Sequence, residues 1–274
     1  GFEVRNGNIT GDLGNGGAGI ISNGISTLIS NCTVHDCWSG GIGVSGDYSI
    51  IEYCTVYNAS LCNYQVKASL WGSGISQRNS PKYGIIRHCV VHDCWGEGIS
   101  FFNASHGTVE DNVVYNCSSV HIYISDASYC LVQRNLVYRT SDWNYPGTGI
   151  NFSDETFEIP QSNNICVNNI VYGTRRCFSC GDPRNTIIAN NTFMNSCYVS
   201  CVQLNTESTS TNSYFINNIV IQEDNLYDIY NYAHTGDGSG ITCSNNLFLS
   251  PANIKDYTGT NDIFGDPLIA RLGN

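Results

Sequence analysis

The decapeptide VHDCWGEGIS, residues 91–100, gathers His92, Asp93, Trp95 and Glu97 beside a cysteine and two glycines. Histidine and carboxylate side chains are the usual carriers of protons in catalysis. A tryptophan ring offers a sugar an apolar face. A near copy, VHDCWSGGIG at 34–43, keeps the His, Asp, Cys and Trp but has Gly40 in the place of Glu97. Any chemistry at Glu97 is therefore set on a repeated frame, and the frame has to be read first.

A short phrase returns along the whole chain: NCTV at 31, YCTV at 53, HCVV at 88, DNVV at 111, RNLV at 134, NNIV at 168, NNTF at 190, NNIV at 217 and NNLF at 245. The basic step is 22 or 23 residues, and the longer steps are the same unit with a loop inserted near 58–72, 140–147, 153–162, 206–213 or 231–240. Each unit holds three short apolar runs rich in Val, Ile, Tyr and Phe and no sustained helical period. Three strands per 22 residues make one coil of a parallel β-helix. Leucine-rich repeats share the period, but their leucine spacing and helical leg are absent. The expectation is an all-β fold, a single domain over 1–274 of about ten coils, about 48 Å long at about 4.8 Å per coil.

Equivalent positions then become spatial neighbours. The second residue of each phrase runs Cys32, Cys54, Cys89, Asn112, Asn135, Asn169, Asn191, Asn218, Asn246. Such a column belongs at a sharp inward bend, where each amide bonds the next and the backbone groups that the bend leaves unpaired. The pattern resembles the right-handed parallel β-helix superfamily of pectate lyases, polygalacturonases, other polysaccharide lyases and phage tailspikes. The resemblance implies an extracellular rod that handles carbohydrate. It carries no catalytic assignment, because the Asn-Thr-Asp, Gly-His-Gly and Arg-Ile-Lys signatures of polygalacturonases and the Arg-x-Pro-x-x-Arg run of calcium-dependent pectate lyases are missing.

Strand alternation maps the candidate site. With Ile42, Ile75, Ile99, Ile122 and Ile150 inward, their neighbours are expected to face solvent. That reading projects His121 and Tyr123 from the middle of the rod, with Arg78, Asn151 and Gln203 nearby and Glu97 at the strand entrance. His121 or Tyr123 would remove a proton, Arg78 would hold a carboxylate, and Glu97 would need a second carboxylate for hydrolysis, with Asp93 and Asp126 as the nominees. Trp38, Trp71 and Trp95 form either an aromatic strip for sugar or the packing beneath a loop. Asp126, Asp154 and Asp182 stack at a turn, where three like charges call for a cation such as calcium.

Composition bounds the rest. Acidic residues outnumber basic ones by 23 to 12, which excludes a nucleic-acid partner. No apolar run is long enough to span a membrane. Fourteen cysteines point to an oxidising, extracellular setting, with disulfides between Cys94 and Cys117 or Cys177 and Cys201 sterically allowed. Seven N-x-S/T sequons, beginning at Asn8, Asn31, Asn58, Asn103, Asn116, Asn151 and Asn190, make a glycoprotein conceivable. The chain enters a coil at once, so sequence upstream of Gly1 or another copy stacked end to end is expected. Two functions compete: a polysaccharide-binding or polysaccharide-processing rod, and a structural subunit of a cell-surface or extracellular filament.

Overall fold

The computed structural model describes residues 1–7, 16–68, 70–155, 161–206, 209–223, 226–233, 240–256 and 259–266. They wind into a parallel β-helix of about ten coils, whose strands line up in three sheets of eleven, ten and ten. Each strand pairs in parallel with its counterpart one coil away. Val91 lies between Val56 and Val114 in the first sheet, Ile99 between Ile75 and Ile122 in the second, and Val109 between Ile86 and Val132 in the third.

Most strands of the first and third sheets have three residues, and the middle one is buried between two partly exposed neighbours. That single inward β-branched or aromatic residue per strand builds one continuous core from Ile29 to Phe248. The second sheet has longer strands, such as Glu97–Phe102 and Val120–Ser125. It also carries the inserted loops: those near 58–72 and 140–147 leave the chain just before its strands, and the one near 153–162 just after. The 58–72 insertion contains a short 3-10 turn, Leu61–Val66. The 231–240 insertion begins later than the sequence suggested, because strand Tyr227–Ala233 runs into it.

The asparagine column is a hydrogen-bonded ladder. Each Oδ1 accepts from the Nδ2 of the previous asparagine at 3.0–3.2 Å, from Asn112 through Asn246. The same oxygen accepts the backbone N–H of the preceding ladder residue, as in Asn135 N to Asn169 Oδ1 at 3.0 Å. The second amide hydrogen goes to a third-sheet carbonyl, for example Asn169 Nδ2 to Val132 O at 3.0 Å. Asp262 ends the ladder as a pure acceptor from Asn246. The residue before each rung, including Asn168, Asn190, Asn217 and Asn245, has φ of 55–58°. This left-handed turn is least costly for asparagine among residues with a side chain.

All fourteen cysteines carry free thiols, twelve of them buried. Cys94 and Cys117 sit in register on neighbouring strands, but parallel neighbours point their side chains the same way, so they stack without bridging. The disulfides that the sequence allowed are not formed, and the cysteines act as small apolar fillers. Their number therefore does not argue for an oxidising compartment. The repeat continues to the last described strand: Ile263–Phe264 pairs with Leu247–Phe248.

Replacing Asn169 by alanine removes the acceptor for two N–H groups of Asn135 inside the core. At about 1–3 kcal/mol per orphaned buried group, the Asn169→Ala protein is expected to lose about 2–6 kcal/mol in urea unfolding. Alanine at the exposed Ile170, one residue on, is expected to change stability by much less.

Candidate active site

The candidate residues are held by the outer face of the second sheet. Glu97 opens its strand where the chain leaves the corner and enters the sheet, in register with Ser73 one coil back. Its carboxylate accepts a hydrogen bond from Ser73 Oγ at 2.8 Å, and Ser73 Oγ shares a 2.7 Å bond with Ser100 Oγ. Glu97 is 8% exposed. Burial pushes its carboxyl up to about 7, against the pull of the two serines and of Arg78; the charge of Glu155 adds to the rise. Near neutral pH, Glu97 is an acid with a proton to give.

Tyr123 lies in the same column as Ser76, two coils on, but it is buried and does not face solvent as alternation had suggested; it donates its hydroxyl hydrogen to Glu155. Phe102 packs edge-on against its ring at 6.2 Å. Burial and the neighbouring Glu155 raise the Tyr123 phenol, so it serves as a donor that positions Glu155 and not as a base. Asn151 and Gln203 continue the same outward column and are part-exposed; Gln203 Nε2 donates to Asn205 Oδ1 at 2.8 Å. Arg78 is exposed just beyond its strand.

His121 does not face solvent. It is fully buried, with Nδ1–H donating to the Thr148 carbonyl at 2.9 Å and Nε2 accepting the Cys117 N–H at 3.3 Å. Burial pushes its pKa down to about 4, so it is a neutral brace of the corner and not an exposed base. Simple alternation fails here because the chain bends, so His121 and Ile122 are both buried. The equivalent residue is glycine in neighbouring coils for the same reason: a Cβ on Gly98 would lie 2.6 Å from Val114 Cγ1 and 2.4 Å from the His121 carbonyl oxygen.

The nominated partners of Glu97 are also elsewhere. Asp93 is bound to His92 Nδ1 at 2.7 Å and to Asn116 Nδ2 at 2.9 Å, at the end of the first-sheet strand before the corner. Asp126 is buried and accepts from Ser125 Oγ at 3.1 Å. The second carboxylate near Glu97 is Glu155, from an insertion that coil arithmetic cannot place. Ser73 was also missed, although it is the register equivalent of Glu97 and was readable from the period.

Trp38, Trp71 and Trp95 do not form a strip among the described residues. Trp95 is packed under the insertions, 4.6 Å from Tyr64, 4.9 Å from Trp143 and 5.2 Å from Tyr145 between ring centroids. Trp38 has its indole N–H buried without a partner, and Trp71 is 46% exposed. Packing therefore accounts for Trp95. His35 and His92 share no site, because the Tyr57 ring stacks between them at 4.6 and 5.1 Å.

Among the described residues no three His, Cys, Asp or Glu side chains form a metal-binding group. Asp154 does feel Asp126 and Asp182, but its pKa rises mainly through burial, and Arg184 opposes the rise. Asp182 is held by Arg184, Thr209 and Ser210, and Asp154 accepts the Gln161 N–H. The side chains thus meet their charge with protein donors. Two sequon asparagines, Asn58 and Asn116, likewise spend their amide nitrogens on Asp36 and Asp93.

A family model described as a right-handed β-helix region matches residues 18–193. The chain belongs to this right-handed β-helix family. No curated protein matches the sequence. Among solved structures, the tailspike of E. coli bacteriophage HK620 in complex with a pentasaccharide is similar at 14% identity and a TM-score of 0.61, over 87% of this chain and 44% of the tailspike. The DFA-IIIase of Arthrobacter chlorophenolicus A6 without its lid gives 14% identity and 0.60, over 91% and 69%. XylC in complex with xylose gives 15% and 0.53, over 81% and 42%. This chain thus spans less than half of the tailspike and XylC chains, and at these identities the likeness is one of β-helix fold. Among the described residues no helix is long and apolar enough to cross a membrane.

The folded Glu97 binds its proton more tightly than an ordinary carboxyl of pKa 4.5. Between pH 4.5 and 7 the native chain therefore holds more protons than the unfolded one, and stability falls as pH rises through that window. Glu97→Gln removes this contribution while keeping an acceptor for Ser73. Thermal and urea unfolding are expected to show the variant equal to the parent at pH 4.5 and more stable by about 3 kcal/mol at pH 8.

Proposed function

We propose that this protein is a glycan-processing enzyme that works outside the cell, with its substrate lying along the outer face of the second sheet and Glu97 as the general acid. The observation that carries the reading is the buried Glu97, raised to about 7 and hydrogen-bonded to Ser73, beside a second carboxylate, Glu155, that Tyr123 positions. Two carboxyl groups in unlike environments, one buried and protonated and one exposed, are what glycosidic cleavage by acid and base requires.

In this reading the Glu97 proton passes to the bridging oxygen as the glycosidic C–O bond breaks. Glu155 takes a proton from the water that adds to the anomeric carbon. Glu97 is left ionised and is reprotonated from solvent, while Glu155 releases the proton it took to solvent, which restores both groups. The saccharide complexes of the tailspike and XylC support a glycan as the partner. A purely structural subunit would have no use for a buried acid at the cost of stability worked out above, and the convergence of Glu97, Ser73, Ser100, Tyr123 and Glu155 favours the enzyme.

Incubation with a panel of neutral and acidic polysaccharides is expected to release shorter oligosaccharides from at least one, with activity falling as pH rises above about 7. Glu97→Gln is expected to lower kcat about 100-fold or more with little change in KM, and Tyr123→Phe to lower it less. His121→Ala should act through lost stability alone. Chain length unchanged across the whole panel would refute the catalytic reading.

A further inference from the structure

One coil before Glu97 the outer face of the second sheet hollows into a cavity of about 300 Å³, at the lower end of small-molecule site sizes. Its lining includes Gly43 and Ser76 on the outward column, Ile21 from the preceding coil, and Ser45, Arg78 and Asn79 where the strands end. The floor is low because position 43 lacks a side chain; a Cβ there would come 2.8 Å from Ile21 Cδ1. Ile21 is 61% exposed and offers an apolar surface beside neutral hydrogen-bonding groups. Asn79 Nδ2 already donates to Ser45 Oγ at 3.1 Å, which fixes the direction of that rim.

Arg78 brings charge to this cavity. The other arginines near carboxylates are neutralised by them: Arg87 by Glu52, Arg134 by Glu110 and Asp111, and Arg184 by Asp182. Arg78 makes no ion pair or side-chain hydrogen bond among the described residues, although acids outnumber bases by 23 to 12. No carboxylate is among the residues lining the cavity. The net charge of −11 does not forbid an anion here, because charges more than about 10 Å away are largely screened at 0.1 M salt. The local guanidinium decides, and its planar fork suits a carboxylate or sulfate. Its charge also acts on Glu97, so an anionic sugar bound at Arg78 would be felt by the acid.

We infer that this cavity is a subsite for a single anionic sugar ring, whose carboxylate or sulfate pairs with Arg78 while a ring face rests on Gly43 and Ile21. The inference builds on the reading of this face as a glycan site and narrows the substrate to an acidic glycan, or one with acidic residues spaced along it. Gly43 sets the specificity of the floor, since any larger residue would lift the ring from the sheet.

Backbone-amide NMR at fixed ionic strength, with glucuronic acid, glucose 6-sulfate and glucose as separate probes, tests this. The amides of Gly43, Ser76 and Arg78 are expected to shift with at least one of the two anionic sugars and to show at least tenfold weaker binding of glucose. The comparison of the two anions tells carboxylate from sulfate. Arg78→Gln, a change at an exposed side chain without partners, should keep the melting temperature and weaken the anionic sugar about tenfold or more. Glu97→Gln should leave that binding in place, which separates this subsite from the catalytic reading. Equal binding of glucose and the anions, no shift at these amides, or anion binding unchanged in Arg78→Gln would overturn the subsite, even if Glu97-dependent cleavage stands.

Discussion

The whole structure depends on keeping the bend between the third and first sheets satisfied at every coil. A chain that turns sharply inside a core strands backbone N–H and carbonyl groups away from water, and each costs more than a typical hydrogen bond returns. The ladder from Asn112 to Asp262 meets this need, because each amide has enough donors and an acceptor for the coil before, the coil after and the strand beside it. In the first coils Cys54 and Cys89 occupy the same place, directing their Sγ–H to backbone carbonyls. Once that register is fixed, every other column follows, including the outer rings His35, Tyr57, His92, Tyr115, Tyr138 and Tyr172, which stack at 4.6–5.2 Å.

Function gathers where the rod departs from its own repetition. The second sheet alone has insertions on both sides, and its outer face lies between them. Aromatic side chains from two of them, Tyr64, Trp143 and Tyr145, close over Trp95. Burial of this kind on an outward face is what raises Glu97: the same carboxyl at an open position on the first or third sheet would stay ionised in water. Arg78 and Glu155 then act on it with opposite sign, so the proton is held near the point where it can be both kept and given.

Much of this was readable from residue order. The 22-residue step, the Asn column and the inward Ile42, Ile75, Ile99 and Ile122 all follow from period and alternation, whereas Tyr123, expected in solvent, is covered in the folded chain. His121 did not, because two successive residues turn inward at a bend and the period-2 rule breaks there. Glu155 did not, because an insertion has no register. The cysteines misled for a different reason: their count suits a secreted disulfide protein, whereas their stacking on parallel strands suits thiols in a core. The aspartate column was placed correctly as a turn, but Arg184, brought in by the coil closure, was not visible as the partner of Asp182.

Catalysis on this face turns on one protonation state. The side-chain carboxyl carbon resonance of Glu97, assigned by its loss in Glu97→Gln and followed from pH 4 to 9, measures it directly. A midpoint near 7 is expected, with the carboxyl still largely protonated at pH 6. A midpoint near 4.5, the ordinary glutamate value, would contradict the account, since Glu97 would then be an ionised surface carboxylate at every pH where a glycan is met.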